Sequence, residues 1–215
     1  MLKVKPTMLQ LDVAHDLRNV LTVIIGNCEL AANSPQQKHI SRIRGAAIRG
    51  AALLESSNSA DAKVDFSQPV NLNTIALEVG ELMRSALVRS DKVVLNLDLL
   101  PEVPVVSGSS LWMFLSVLNL CLNARDAMIE KGGALQITTR AEGGFVVLAV
   151  SDAGKGMTEN RLQTLWTPKV TADQKHGHGL QIVRVTMDRM NGKIDVQSKP
   201  GVGTTFTISL PAMAL

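Results

Sequence analysis

The stretch ALQITTRAEGGFVVLAVSDAGKGM, residues 134–157, carries the pattern on which the fold turns. Ala134 to Ala141 and Phe145 to Ser151 read as two strands, and Glu142-Gly143-Gly144 between them reads as a hairpin turn. Just upstream, Leu111 to Ile129 is a long apolar helix pattern. Downstream, a helix expected near Leu180 to Met190 leads into two further strands, Lys193 to Ser198 and Thr204 to Leu210, joined by Pro200-Gly201-Val202-Gly203. Toward the N-terminus, Asn71 to Val88 has helical spacing with Asn71 as its N-cap, and Val93 to Leu99 alternates as a strand. Strands and helices in this order, with few βαβ units, predict an α+β class: an α/β sandwich in which helices back a mixed sheet.

The first sixty residues have a different character. Leu11, Ala14, Leu17, Leu21, Ile24, Cys28 and Ala31 recur at spacings of three and four, the seam of an amphipathic helix that ends at Asn33-Ser34-Pro35. A second seam runs Ile40, Ile43, Ala47, Ala51, Leu54, so the pair predicts an antiparallel helical hairpin. Two helices bury too little apolar surface to stand alone, which predicts a homodimer built around a four-helix bundle. The chain turns polar from Ser56 to Gln68, and the expected organisation is therefore a helical domain over 1–60 and a sandwich domain over 61–215.

Composition narrows the function. The 215 residues are 46% apolar and 19% charged, a globular balance, with a net charge of +3 that is too mild to indicate a nucleic-acid partner. Aromatic content of 3%, with no Tyr, removes the stacking platforms used to bind single strands. Cys28 and Cys121 lie far apart in apolar surroundings, which offers neither a disulfide framework nor a CxxC site and fits a reducing, cytoplasmic setting. No apolar run reaches the roughly 20 residues that span a bilayer, so direct membrane insertion is not expected.

Four constellations carry chemistry. His15-Asp16-Leu17-Arg18-Asn19 places an imidazole on a polar helix stripe with Asn19 and Thr22, beside a carboxylate that can keep one ring nitrogen protonated and leave the other nucleophilic. Asn119 and Asn123 are four apart on one face of an apolar helix, where an amide oxygen can ligate Mg²⁺. Asp152-Ala153-Gly154-Lys155-Gly156 follows a strand directly, so a carboxylate acceptor at the strand end is bordered by glycines that let the backbone close on a planar ligand. Gly177-His178-Gly179-Leu180 opens a helix whose N-terminal N–H groups suit phosphate, without the Lys-Ser/Thr ending of a Walker loop. His39, His176 and His178 invite a metal reading, but His176 and His178 lack Cys or carboxylate partners at metal-ligand spacing, which favours a solvated or phosphate-contacting role.

In this order, these four segments resemble the catalytic core of bacterial sensor histidine kinases: a dimerisation and phosphoacceptor hairpin followed by an ATP-binding domain of the kind shared with DNA gyrase, heat-shock chaperones and MutL. The resemblance runs from about Leu9 to Pro211. It implies that His15 is phosphorylated from Mg-ATP, that Asp16 is the general base, and that Asn19 orients water for a reverse, phosphatase reaction. It further implies Mg²⁺ on Asn123, Asn119 near the phosphates, adenine held by Asp152 with Gly154 and Gly156 shaping its pocket, and Thr204 and Thr205 supporting it. Leu162, Leu165, Trp166 and Lys169 resemble the family's hydrophobic box with its trailing Lys, although the usual phenylalanines are missing. Gly177 and Gly179, followed by Leu180, match the glycines beneath the triphosphate. The implied partners are a second copy of the chain, the receiver domain of a response regulator and, since no sensor module precedes His15, a separate sensor protein or the rest of a longer kinase.

The sequence also departs from the pattern. Leu115 stands where Glu or Gln is frequent, Gly108-Ser109 where Asp is usual, and Gln181 replaces a later glycine of the phosphate loop; the lid between Lys169 and Gly177 is short. These departures motivate an alternative, a histidine phosphotransfer or adaptor protein whose nucleotide site has decayed. An ATPase clamp is a third reading, but it leaves the His15 box unexplained.

Overall fold

The computed structural model describes residues 65–87, 92–166 and 178–213. The expected helical hairpin, its four-helix bundle and the greater part of the polar linker, 56–64, lie outside the described residues, as do Lys169 and Gly177.

In chain order the elements are β1 (Gln68–Val70), α1 (Leu72–Leu87), β2 (Val93–Leu99), β3 (Val106–Gly108), α2 (Ser110–Ala127), β4 (Gly133–Glu142), β5 (Phe145–Asp152), α3 (Glu159–Gln163), α4 (His178–Arg189), β6 (Lys193–Lys199) and β7 (Gly203–Pro211). Five strands form the main sheet in the order β2-β4-β5-β7-β6; β2 runs parallel to β4 and the other pairs are antiparallel. That is the mixed sheet expected of the α+β class. β1 and β3 make a separate antiparallel ribbon, tied to the end of β7 by a bridge between Val106 and Ala212.

Local chemistry explains the elements. Asn71 caps α1, its Oδ1 accepting from the N–H groups of Asn73 at 2.8 Å and Thr74 at 3.3 Å. Leu72, Ile75, Ala76, Val79 and Met83, spaced three and four apart, are the buried face of that helix. α2 is apolar nearly all round because it packs against α1, α4 and β5 at once, burying Trp112, Met113, Val117, Leu120, Cys121 and Leu122. The opposing surface comes from alternate residues of the central strands, among them Leu135, Ile137, Leu148, Val150, Ile208 and Leu210. One buried polar knot fastens α1 to the sheet. Thr139 Oγ1 donates to Asn73 Oδ1 at 2.6 Å and accepts from Leu100 N at 3.0 Å, while Asn73 Nδ2 donates to Leu100 O at 2.7 Å.

Two details differ from the sequence reading. Gln68 was read as the end of the polar linker, yet it begins β1, and Phe66 already packs on Trp112 with ring centroids 6.1 Å apart. Both residues fall within the span 61–215 expected for the sandwich domain, so the end of the polar stretch before Pro69 already belongs to its structure. α3, five residues capped by Thr158 Oγ1, was not anticipated, since one helical turn carries no readable period.

Candidate functional site

At one end of the sheet the layer of helices and the strands part, leaving a cavity of about 420 Å³. Asn123 and Ala127 of α2, Asp152 at the end of β5, the loop Lys155–Thr158, Leu180 of α4 and Thr204 of β7 line it. This is the size and mixed lining of a small-molecule site.

Asp152 is the last residue of β5, opposite Thr204 in the ladder. Its Oδ1 accepts from the N–H of Gly154 at 2.8 Å. Burial pushes the carboxyl group above its ordinary value, and the backbone N–H groups of Gly154 and Thr204 pull the other way by stabilising the ionised form. The result is a carboxylate held in place by backbone donors and facing a half-enclosed space, suited to accept from a ligand N–H.

Glycines make this geometry possible. Gly203 has φ +141°, and a Cβ there would fall 1.9 Å from the carbonyl oxygen of Asp152. At Gly156, φ is +63° and a Cβ would fall 2.0 Å from Lys199 O. Gly154 lies against the end of α2, where a Cβ would meet Ala127 Cβ at 2.7 Å, and the neighbouring Lys155 N–H bonds to Ala127 O at 3.1 Å.

The sequence-predicted residues divide as follows. Asn123, Asp152, Gly156, Leu180 and Thr204 come together around the cavity. Asn119 is buried, its Nδ2 donating to Leu115 O at 2.7 Å, and it sits under the first turn of α4, where a Cβ on Gly179 would come within 2.7 Å of its Oδ1. It supports the wall instead of lining the cavity. Thr205 points to the opposite face of the sheet, its Oγ1 2.9 Å from Ser151 Oγ, as the two-residue period of a strand requires. Lys169, Gly177, His15, Asp16 and Asn19 lie outside the described residues.

The cavity also has lining residues that the sequence reading passed over: Asp126, Lys155, Met157, Arg161 and Phe206. Phe206 was legible, being two residues beyond Thr204 on the same strand face. Arg161 carried no signal, because it depends on the one-turn α3. Asp126 is paired with Arg125 at 2.7 Å.

Among the described residues no group of three or more His, Cys, Asp or Glu is gathered for a metal. On α2 the side-chain oxygen donors lining the cavity are the Asn123 amide and the already paired Asp126, while Asp152, Thr158 and Thr204 line it from the strands and the loop. Such a set fits Mg²⁺ that keeps its waters and arrives with phosphate oxygens, and does not fit a metal caged by protein ligands.

Residues 108–214 match the model of the histidine kinase-, DNA gyrase B-, and HSP90-like ATPase family, and that segment of the chain belongs to it. Within that family it is a sensor histidine kinase catalytic core, carrying an ATP-dependent histidine kinase catalytic domain. The sensor histidine kinase ZraS of Escherichia coli (strain K12) is 28% identical over 207 residues, which cover 93% of this chain and 44% of that protein. The sensor kinase CckA of Brucella abortus (strain 2308) is 29% identical over 232 residues, covering 94% of this chain and 24% of its own length. This chain thus spans less than half the length of the curated relatives it matches. The fold is shared with ShkA, solved at full length in complex with AMPPNP (TM-score 0.71, 22% identity, 98% of this chain and 47% of that one). It is shared too with the nucleotide-free catalytic domain of the histidine kinase ThkA (TM-score 0.59, 24% identity, 67% of this chain and 95% of that one). No helix among the described residues is long and apolar enough to cross a membrane.

Proposed function

We propose that this chain is the kinase core of a two-component system that binds Mg-ATP in the cavity at Asp152, phosphorylates His15 and passes the phosphoryl group to an aspartate of a response-regulator receiver domain. The observation that supports this most is the pairing of a backbone-held carboxylate, Asp152, with Thr204 on the floor of a 420 Å³ cavity in an ATPase-family fold.

Asp152 accepts from the amino group of adenine, and Gly154 and Gly156 allow the backbone to close around the base. Asn123 offers its amide oxygen to Mg²⁺, which when bound neutralises charge on the phosphates. Gly179 and Leu180, in the first turn of α4, direct backbone N–H groups toward phosphate, and Gly177 and Lys169 complete the phosphate contacts. One nitrogen of the His15 imidazole attacks the γ-phosphorus in line; the bond to the bridging oxygen breaks and ADP leaves. Asp16 takes the imidazole proton, and Asn19 orients water in the reverse reaction. Residues 1–60 form the dimeric helical hairpin that presents His15, and the polar linker lets the two domains move relative to each other. The setting is the cytoplasm, with input from a separate sensor protein or from the rest of a longer kinase.

Incubating the full chain with γ-labelled Mg-ATP tests this. Acid-labile, base-stable phosphate on His15 is expected, and His15→Ala abolishes the label while Mg-ADP binding by calorimetry persists. Label retained in His15→Ala overturns the phosphoacceptor assignment. Failure of the unaltered chain to bind millimolar nucleotide supports instead the phosphotransfer or adaptor reading.

A further inference from the structure

On the helix-facing side of the sheet, cross-strand rows over β5, β7 and β6 run Leu148, Ile208, Ile194, then Val150, Phe206, Val196, then Asp152, Thr204, Ser198. The first two rows are apolar and the last is wholly polar. Asp152 and Thr204 belong to the site already described. Ser198 does not line the main cavity, and nothing in the proposed chemistry uses it.

The surroundings of Ser198 are nonetheless specific. Its Oγ accepts from Met157 N at 2.8 Å, lies 3.0 Å from the carbonyl oxygen of Gly203, and lies 2.9 Å from Thr204 Oγ1. A hydroxyl has one proton and two lone pairs. The Met157 N–H takes one lone pair. The Gly203 carbonyl can only accept, so it takes the proton. The remaining contact must then be donated by Thr204, which fills the second lone pair of Ser198. Every position on Ser198 is used, and the only proton of the Thr204 hydroxyl is directed away from the cavity.

We propose that Ser198 is a positioning residue that sets the hydrogen-bond polarity of the cavity floor: the relay from Thr204 to Ser198 to Gly203 keeps Thr204 an acceptor beside the Asp152 carboxylate. Two neighbouring acceptors match an amino group, which has two protons, and leave a carbonyl oxygen without a donor. The cavity therefore selects a 6-aminopurine nucleotide over its 6-oxo counterpart, and Ser198 enforces that choice without touching the ligand. This inference rests on the nucleotide reading above. Met157 N–H is also anchored by Ser198, so a merely structural role would loosen the loop Lys155–Thr158 and weaken all nucleotides alike.

Calorimetric titration of the full chain with Mg-ADP and Mg-IDP, which differ in the 6-amino against 6-oxo group, separates the two roles. Ser198→Ala frees the Thr204 hydroxyl to turn and donate, and the preference for ADP over IDP should fall about fivefold or more. Ser198→Thr, which keeps the hydroxyl, should restore it. In a Thr204→Val background, Ser198→Ala should shift the preference by less than about twofold, because the relay has lost its first member. Equal loss for both nucleotides in Ser198→Ala, or a change of preference that persists with Val at 204, overturns the relay while leaving the nucleotide site standing. No ADP binding by the unaltered chain overturns the nucleotide reading and the relay together.

Discussion

Asp152 sits where the apolar face of the sheet runs out, and its carboxyl group is under two opposed influences: burial raises its pKa above the ordinary 3.8, and the Gly154 and Thr204 N–H groups lower it, with burial the larger. Because the folded value is the raised one, the folded chain takes up this proton at higher pH than the unfolded chain. Stability from the protonated form is present at low pH and is lost as pH rises through the raised value. Ligand binding has the opposite sign, since only the ionised form accepts from an amino group without competing for its own proton. Mg-ADP affinity should therefore begin to fall at a pH above that of an ordinary aspartate as the solution is acidified. Asp152→Asn keeps the shape and removes the buried charge. It should lower Mg-ADP affinity about tenfold or more, abolish this pH dependence, and leave the melting temperature unchanged or higher, which calorimetry and thermal unfolding check. The motif around Asp152 was readable along the chain. The orientation of Thr204 was not, because it depends on Ser198 in another strand.

Among the elements, the seam between α2 and α4 is where sequence pattern and tertiary contact differ most. α2 announces its burial through an almost unbroken apolar run. Nothing in that run shows that Ser116, wholly buried, places its Oγ 2.9 Å from Thr186 Oγ1, seventy residues on, or that the two hydroxyls also bond to Trp112 O and Ile182 O of their own helices. Thr186→Val should cost about 1 kcal/mol in denaturant unfolding, and combining it with Ser116→Ala should cost less than the two singles added, because the second change removes a partner already orphaned. Cys121, in the same helix, is so well buried that its thiol is pushed up to about 12, which leaves it a packing group. β1, β3 and α3 escaped the sequence reading for a common reason: three strand residues or one helical turn are too short to show a period. Asn71, by contrast, was recognisable as a cap because its side chain bonds only two and three residues away.

For the whole molecule, charge is the most telling quantity. Residues 1–60 hold seven Lys or Arg against four acids, whereas residues 61–215 hold fifteen of each, so the entire net charge of +3 belongs to the N-terminal segment. Lys38, Arg42, Arg44 and Arg49 concentrate there. If that segment receives the acidic phosphoacceptor pocket of a receiver domain, replacing Arg42 and Arg44 by Gln should slow phosphotransfer several-fold at low ionic strength, with the difference shrinking as salt rises and Mg-ADP affinity unchanged. Equal transfer rates across salt concentrations would make those arginines an ordinary solvated face.

Along the chain alone one can read the α+β class, nearly every long element, the hairpin at Glu142-Gly143-Gly144 and the motifs that mark a kinase core, because these rest on local period, local turns and spacing within a single segment. The folded structure was needed to separate Asn123, which lines the cavity, from Asn119, which supports α4, and to bring Lys155 and Arg161 to the same space. It was needed, too, to set Ser198 against Thr204, Gly203 and Met157. Local geometry records which residues share a face of one element. Hydrogen-bond direction and burial depend on which faces meet, and that is decided only when strands and helices distant in sequence pack together.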